Sequence, residues 1–137
     1  MFGVFVKKYW LLFLNLLGKV HISVLQELNL EIAAVCDCDK EKLKEYSGFA
    51  TYLDYENMLD EVASDVVHIC TPHYLHTEMI LAALKRNINA LCEKPMCIKE
   101  GDIALILETE KASKAQLGIC VQNRYFPANV YTFKGKW

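Results

Sequence analysis

The chain has 137 residues, 53% hydrophobic and 23% charged, which suits one soluble domain with its own core and argues against disorder. A formal net charge of -2, with Lys and Glu interspersed, lacks the basic footprint that nucleic-acid binding requires. Six cysteines in so long and apolar a chain read as free thiols in a reducing, cytoplasmic setting, not as a disulfide scaffold.

The first seventeen residues carry Lys7-Lys8 followed by an apolar run from Tyr9 to Leu17, a superficial likeness to a signal peptide. No small-residue cleavage site follows, and the run falls well short of the roughly 20 residues that span a bilayer. A buried first strand is the expectation. From Gly18 onward two periodicities alternate. Glu31 to Cys36 and Asp65 to Cys70 are short apolar runs of the kind that form buried parallel strands. Ala90 to Cys92 and Leu117 to Val121 are two more, and Ala50 to Leu53 is a weaker edge strand. Between them, His21 to Leu28 spaces Ile22, Leu25 and Leu28 about one turn apart, and His76 to Lys85 sets Met79, Ile80, Ala83 and Leu84 on one stripe. In Lys99 to Lys114, Ile103, Leu105, Ile106 and Leu107 are expected inside. Strand and helix in repeated alternation predict an α/β fold, a Rossmann-like doubly wound parallel sheet in a single domain.

Gly18 opens a helix after the first apolar run, and Asp37 ends the next strand nineteen positions later. That spacing suits a dinucleotide site in which the acid binds the ribose hydroxyls, and a carboxylate there favours NAD over NADP. The competing reading is a solvated Asp37 that caps the helix beginning near Lys40. The glycine count points the other way. If Gly18 is the last glycine of GxGxxG, Phe13 and Asn15 occupy the first two positions, where a tight turn and a close backbone approach are wanted. Strain of about 1–3 kcal/mol per misplaced residue would weaken binding by roughly thirtyfold or more.

Thr71 and Pro72 follow the second buried run, at the expected edge of the cofactor crevice, where Thr71 could instead be a helix N-cap. His73 and His76 stand three apart with no third metal ligand at a convincing spacing, so no metal is expected. Lys94, at the end of the Ala90 to Cys92 run, is a candidate to position or polarise a substrate hydroxyl if burial lowers its pKa, an effect that pairing with Glu93 would blunt.

Together, Asp65 to Pro72, His76, Cys92 to Met96 and Gln122 to Tyr125 resemble the glucose-fructose oxidoreductase and inositol dehydrogenase (Gfo/Idh/MocA) family, with similarity from about Gly18 to Pro127. The resemblance implies an N-terminal Rossmann domain joined to a larger α/β domain, and hydride transfer between NAD(P) and a sugar, cyclitol or related compound. By position, Asp37 matches the adenosine-ribose acid, Thr71, Pro72 and His76 the loop beside the cofactor, and Glu93-Lys94-Pro95 the segment bordering nicotinamide and substrate. Lys94 matches the catalytic lysine that contacts the reacting hydroxyl, with a cis peptide before Pro95. Asn123 and Arg124 resemble the exit from the last strand. Residues 1–122 then form the dinucleotide-binding domain and 123–137 begin an absent substrate domain, which in the family supplies a catalytic histidine and the oligomer surface. Residues 1–17 read as unrelated apolar sequence, as a frame disruption with termination after Val130 would leave.

Two other readings arise from the same residues. One is a non-catalytic Rossmann-like module that associates with a partner subunit, or with itself, through uncovered apolar surface. The other is a peripheral protein anchored by its N-terminus.

Overall fold

The computed structural model describes residues 8–12 and 15–127. Phe13, the first position of the expected glycine loop, and the tail from residue 128 lie outside them. Six parallel strands form one sheet in the order β3-β2-β1-β4-β5-β6: β1 Lys8–Leu12, β2 Glu31–Cys36, β3 Ala50–Tyr52, β4 Val66–Ile69, β5 Asn89–Glu93 and β6 Leu117–Cys120. The helices between them are α1 Leu16–Glu27, α2 Lys40–Leu43, α3 Tyr55–Glu61, α4 His76–Lys85 and α5 Glu100–Ala112. Strand order reverses between β1 and β4, the switch point at which open α/β sheets bind ligands.

The segment from Lys8 to Leu12, which reads as foreign to the rest of the sequence, is the central strand. Leu12 pairs with Cys36 on one side and with Ile69 on the other, so the three strands end level at the carboxyl edge. The expected weak edge strand is β3, at one end of the sheet.

Each face of the sheet has its own core, because residues that alternate along a buried strand point to opposite faces. One core joins Ile22, Leu25, Ile32, Val35 and Leu43, under α1 and α2. The larger one gathers Met58, Val67, Ile69, Ile80, Leu84 and Ile106, among others, under α3, α4 and α5. Both α1 and α4 end on an asparagine in the left-handed region, Asn29 (φ 54) and Asn87 (φ 57). In each case the next amide returns to a carbonyl five residues back, Leu30 to Leu25 and Ile88 to Ala83, so the termini are closed without glycine.

Two packing expectations are corrected. Leu28 is 61% exposed, since α1 has already ended and Leu28 stands at its C-cap. In α5 only Ile106 is buried, while Ile103, Leu105 and Leu107 are 41–48% exposed. This helix leads to β6, the edge strand, and lies against α4, so most of its circumference has no sheet beneath it.

All six cysteines are free, and Cys36, Cys70 and Cys92 are buried at strand ends. Burial pushes the Cys36 and Cys70 thiols up to about 12 and raises Cys92 as well. A native thiol titration with a chromogenic disulfide is therefore expected to label exposed Cys38 first and these three only after unfolding. Fast labelling of Cys70 in the folded chain would contradict the described core.

Candidate functional site

The carboxyl edge of the sheet is built from the loops that leave each strand. After β2 comes Asp37, whose side chain is fully buried. It accepts from the Asp39 backbone N–H at 2.8 Å and lies 3.4 Å from the Lys42 ammonium. The helix beyond it is capped by Asp39, which accepts from the Glu41 amide, so the reading of Asp37 as a solvated cap does not hold. Asp37 instead lines a cleft of about 240 Å³ between the ends of β2 and β4, together with Cys36, Leu53, Thr71, Tyr74 and Met79.

Thr71 is 4% exposed, and among the described residues its Oγ1 has no hydrogen-bond partner. It is not a helix cap, because a 3-10 turn at His73–Leu75 intervenes before α4 starts at His76. An orphaned buried hydroxyl beside a buried carboxylate is what a ribose-bearing ligand would satisfy. The adenosine end of a dinucleotide therefore fits the residues present.

The α1 end is already occupied by protein. Asn15 is the N-cap, with extended backbone (φ -76, ψ -174) and not the left-handed conformation that an asparagine in a glycine position would take. Its Oδ1 accepts from the Gly18 amide at 2.9 Å, and its Nδ2 donates to the Cys70 carbonyl at 2.7 Å. Gly18 is thus the third residue of α1, buried, with its amide already bonded. The positively polarised end where a phosphate would sit is partly satisfied from within.

His76 is completely buried and spans two loops: Nδ1 lies 2.7 Å from the Pro95 carbonyl and Nε2 2.9 Å from the Thr71 carbonyl. It holds the loops after β4 and β5 together instead of projecting into the cleft. Between Lys94 and Pro95 the peptide is cis, as the family pattern implies. Lys94 and Pro95 are exposed at the carboxyl edge, and Asn123 and Arg124 lie in the exposed turn after β6, on that same edge.

Glu93 does not pair with Lys94. Successive strand residues face opposite sides, and Glu93 turns to the α1 face with Leu91. There its Oε1 lies 3.1 Å from His21 Nε2, while His21 Nδ1 lies 2.9 Å from His68 Nδ1. Burial, and then the neighbouring His21, hold His68 down to about 4. Burial, and then Glu93, keep the Cys120 thiol above its ordinary range. These groups stand on the wall of a second cleft, about 320 Å³, between α1 and strands β4 to β6. The sequence reading missed this cluster, since its members are up to 99 positions apart. Its one local signal is a histidine in the otherwise apolar run Val66 to Cys70.

The sequence matches the oxidoreductase family with an NAD-binding Rossmann fold (Gfo/Idh/MocA) over residues 14–120. Among similar proteins, a D-xylose 1-dehydrogenase (NADP(+)) of Hypocrea jecorina is 34% identical over 80 residues, 58% of this chain and 20% of that protein. An inositol 2-dehydrogenase/D-chiro-inositol 3-dehydrogenase of Lactiplantibacillus plantarum is 26% identical over 133 residues, 91% of this chain and 38% of its own length. In structure the chain is similar to the WlbA dehydrogenase of Chromobacterium violaceum, crystallised with NADH and UDP-GlcNAcA. The TM-score is 0.91 at 22% identity, covering 97% of this chain and 40% of that one. The chain thus spans well under half the length of these relatives. Sheet order, switch-point cleft and family match agree that this chain belongs to the Gfo/Idh/MocA oxidoreductase family and carries its NAD(P)-binding Rossmann domain.

Proposed function

We propose that this chain binds a nicotinamide dinucleotide across the carboxyl edge of its sheet, as the cofactor half of an oxidoreductase acting on the CH–OH group of a sugar, cyclitol or related compound. Residues 1–122 are the dinucleotide-binding unit, and 123–137 lead toward a substrate domain. The observation that carries the reading is the switch-point cleft holding both the buried Asp37 carboxylate and the Thr71 hydroxyl, which is unpartnered among the described residues. Asp37 accepts from the adenosine ribose hydroxyls, and its charge disfavours a 2'-phosphate, so NAD is preferred over NADP.

When bound, the cofactor supplies the hydride acceptor. The remaining work belongs to the chain. Thr71 and Pro72 border the cofactor, and His76 fixes that loop against the one carrying Pro95. Lys94 orients the substrate hydroxyl as the CH–OH group is oxidised, and the hydroxyl proton leaves through Lys94 or a group of the substrate domain, with Glu93 setting the strand end from which Lys94 projects. Asn123 and Arg124 reach the same edge from β6.

Fluorescence titration with NADH and NADPH checks the assignment. NADH is expected to bind more tightly, and Asp37→Ala is expected to lose about five- to tenfold in NADH affinity, with the preference over NADPH gone. An unchanged preference in Asp37→Ala would remove Asp37 from the ribose site. A second reading, association through a partner subunit, draws on the exposed Ile103, Leu105 and Leu107 of α5. It predicts a stable dimer in sedimentation together with no NADH binding.

A further inference from the structure

We propose that His21, Glu93 and Cys120 form a transition-metal site, suited to zinc, on the α1 face of the sheet. It is distinct from the dinucleotide cleft and does not depend on the function proposed above. One ligand atom from each of the three lies within 4.8 Å of the others, and among the described residues this is the group so arranged. The expected pair of His73 and His76 is not part of it, since those rings meet edge to face.

The hydrogen-bond pattern admits a cation in one of its two tautomeric arrangements. If His68 Nδ1 accepts from His21 Nδ1–H, then His21 Nε2 turns its lone pair on a carboxylate oxygen only 3.1 Å away. Two lone pairs at that distance repel unless a positive charge lies between them. Among the described residues the second carboxylate oxygen, Glu93 Oε2, is buried without a hydrogen-bond partner, and the Glu93 side chain is only 4% exposed. With His68 donating to His21 instead, a proton on Nε2 answers the first contact and leaves Oε2 as it is. A metal answers both, and draws in the Cys120 sulfur as a third ligand.

The donor set selects the metal. Imidazole nitrogen, carboxylate oxygen and thiolate sulfur suit zinc, whereas magnesium and calcium require oxygen shells and copper(I) prefers sulfur without carboxylate. Zinc–ligand bonds of about 2.0–2.3 Å place tetrahedral ligand atoms roughly 3.3–3.7 Å apart. The ligand atoms here stand near that range, 3.1 Å apart for His21 and Glu93 and within 4.8 Å of one another for all three. His68 completes the arrangement by receiving the other ring N–H of a metal-bound histidine. The fourth position opens on the apolar cleft lined by Val20, Val24 and Leu91, so a water or a small exchangeable ligand would occupy it.

The test uses the purified chain, stripped with a chelator, held reduced without added thiols, and titrated with cobalt(II) in the absence of dinucleotide. One equivalent is expected to give the visible bands of tetrahedral cobalt and a near-ultraviolet thiolate-to-cobalt band, all displaced by zinc. Cys120→Ser should abolish the thiolate band and lower zinc affinity by more than about 100-fold, and His68→Phe should lower it by about 10- to 100-fold. Cys38→Ser, at the exposed cysteine, should change neither. Zinc should raise the melting temperature of the parent chain and not that of His21→Ala. The proposal is overturned if cobalt shows no tetrahedral spectrum, or if binding survives both Cys120→Ser and His21→Ala, because the metal then sits elsewhere. NADH titration of the same samples reads the dinucleotide site separately.

Discussion

Replacing His76 with leucine is expected to lower the stability of the folded chain by about 2–3 kcal/mol and to loosen the Lys94-Pro95 segment. The side chain is wholly buried, so its volume matters, but leucine supplies much of that volume and the packing loss is the smaller effect. What leucine cannot supply is a donor. Both ring nitrogens face carbonyl oxygens, those of Pro95 and Thr71, so in either tautomer the ring donates to one and stands within reach of the other. Leaving such acceptors without a donor costs about 1–3 kcal/mol each, less whatever water recovers. His76→Gln retains an N–H group and should restore part of the loss. Urea unfolding of the three proteins provides the energies, and limited proteolysis in the 94–99 region reports the loosened segment. A deficit below about 0.5 kcal/mol in the leucine variant would mean that the bridge contributes no net stability.

His76 also marks how far the sequence could be read. Its helix was legible to the residue, because Met79, Ile80, Ala83 and Leu84 repeat at the helical period and all four are buried. The ring's two partners were not, since Thr71 and Pro95 become neighbours only when β4 and β5 pair. The same limit explains Glu93. Beside Lys94 in sequence, it finds His21, 72 positions away, because strand pleating separates adjacent side chains and α1 delivers a histidine to that face. Parallel strands were readable because burial on both faces leaves continuous apolar runs such as Glu31 to Cys36, and that run matches β2 residue for residue. In α5 the apolar residues misled. Ile103, Leu105 and Leu107 carry hydrophobicity without a sheet beneath them, and only the position of β6 at the sheet edge reveals this.

Asn15→Gly is expected to make the chain slightly less stable yet a better dinucleotide binder, and the opposition of sign is what makes the variant informative. In the parent, Asn15 Oδ1 takes up the Gly18 amide and Nδ2 ties the start of α1 to the Cys70 carbonyl at the end of β4. Removing the side chain forfeits one cap, worth only a few tenths of a kcal/mol when glycine is the replacement, and one further hydrogen bond, for a total near 1 kcal/mol. It also returns a free amide and open space to the positive end of the helix dipole. A hydrogen bond from that amide to a charged phosphate contributes about 1.5–3 kcal/mol, so NADH affinity should rise roughly 10- to 100-fold. Asn15→Asp separates the two effects. Its carboxylate still caps α1 and complements the dipole, but it opposes the charge of a pyrophosphate and presents the Cys70 carbonyl with an acceptor in place of a donor. That variant should bind NADH more weakly than the parent. If glycine and aspartate shift NADH affinity equally, the pyrophosphate does not approach α1, and Asn15 then serves only to join the helix to β4.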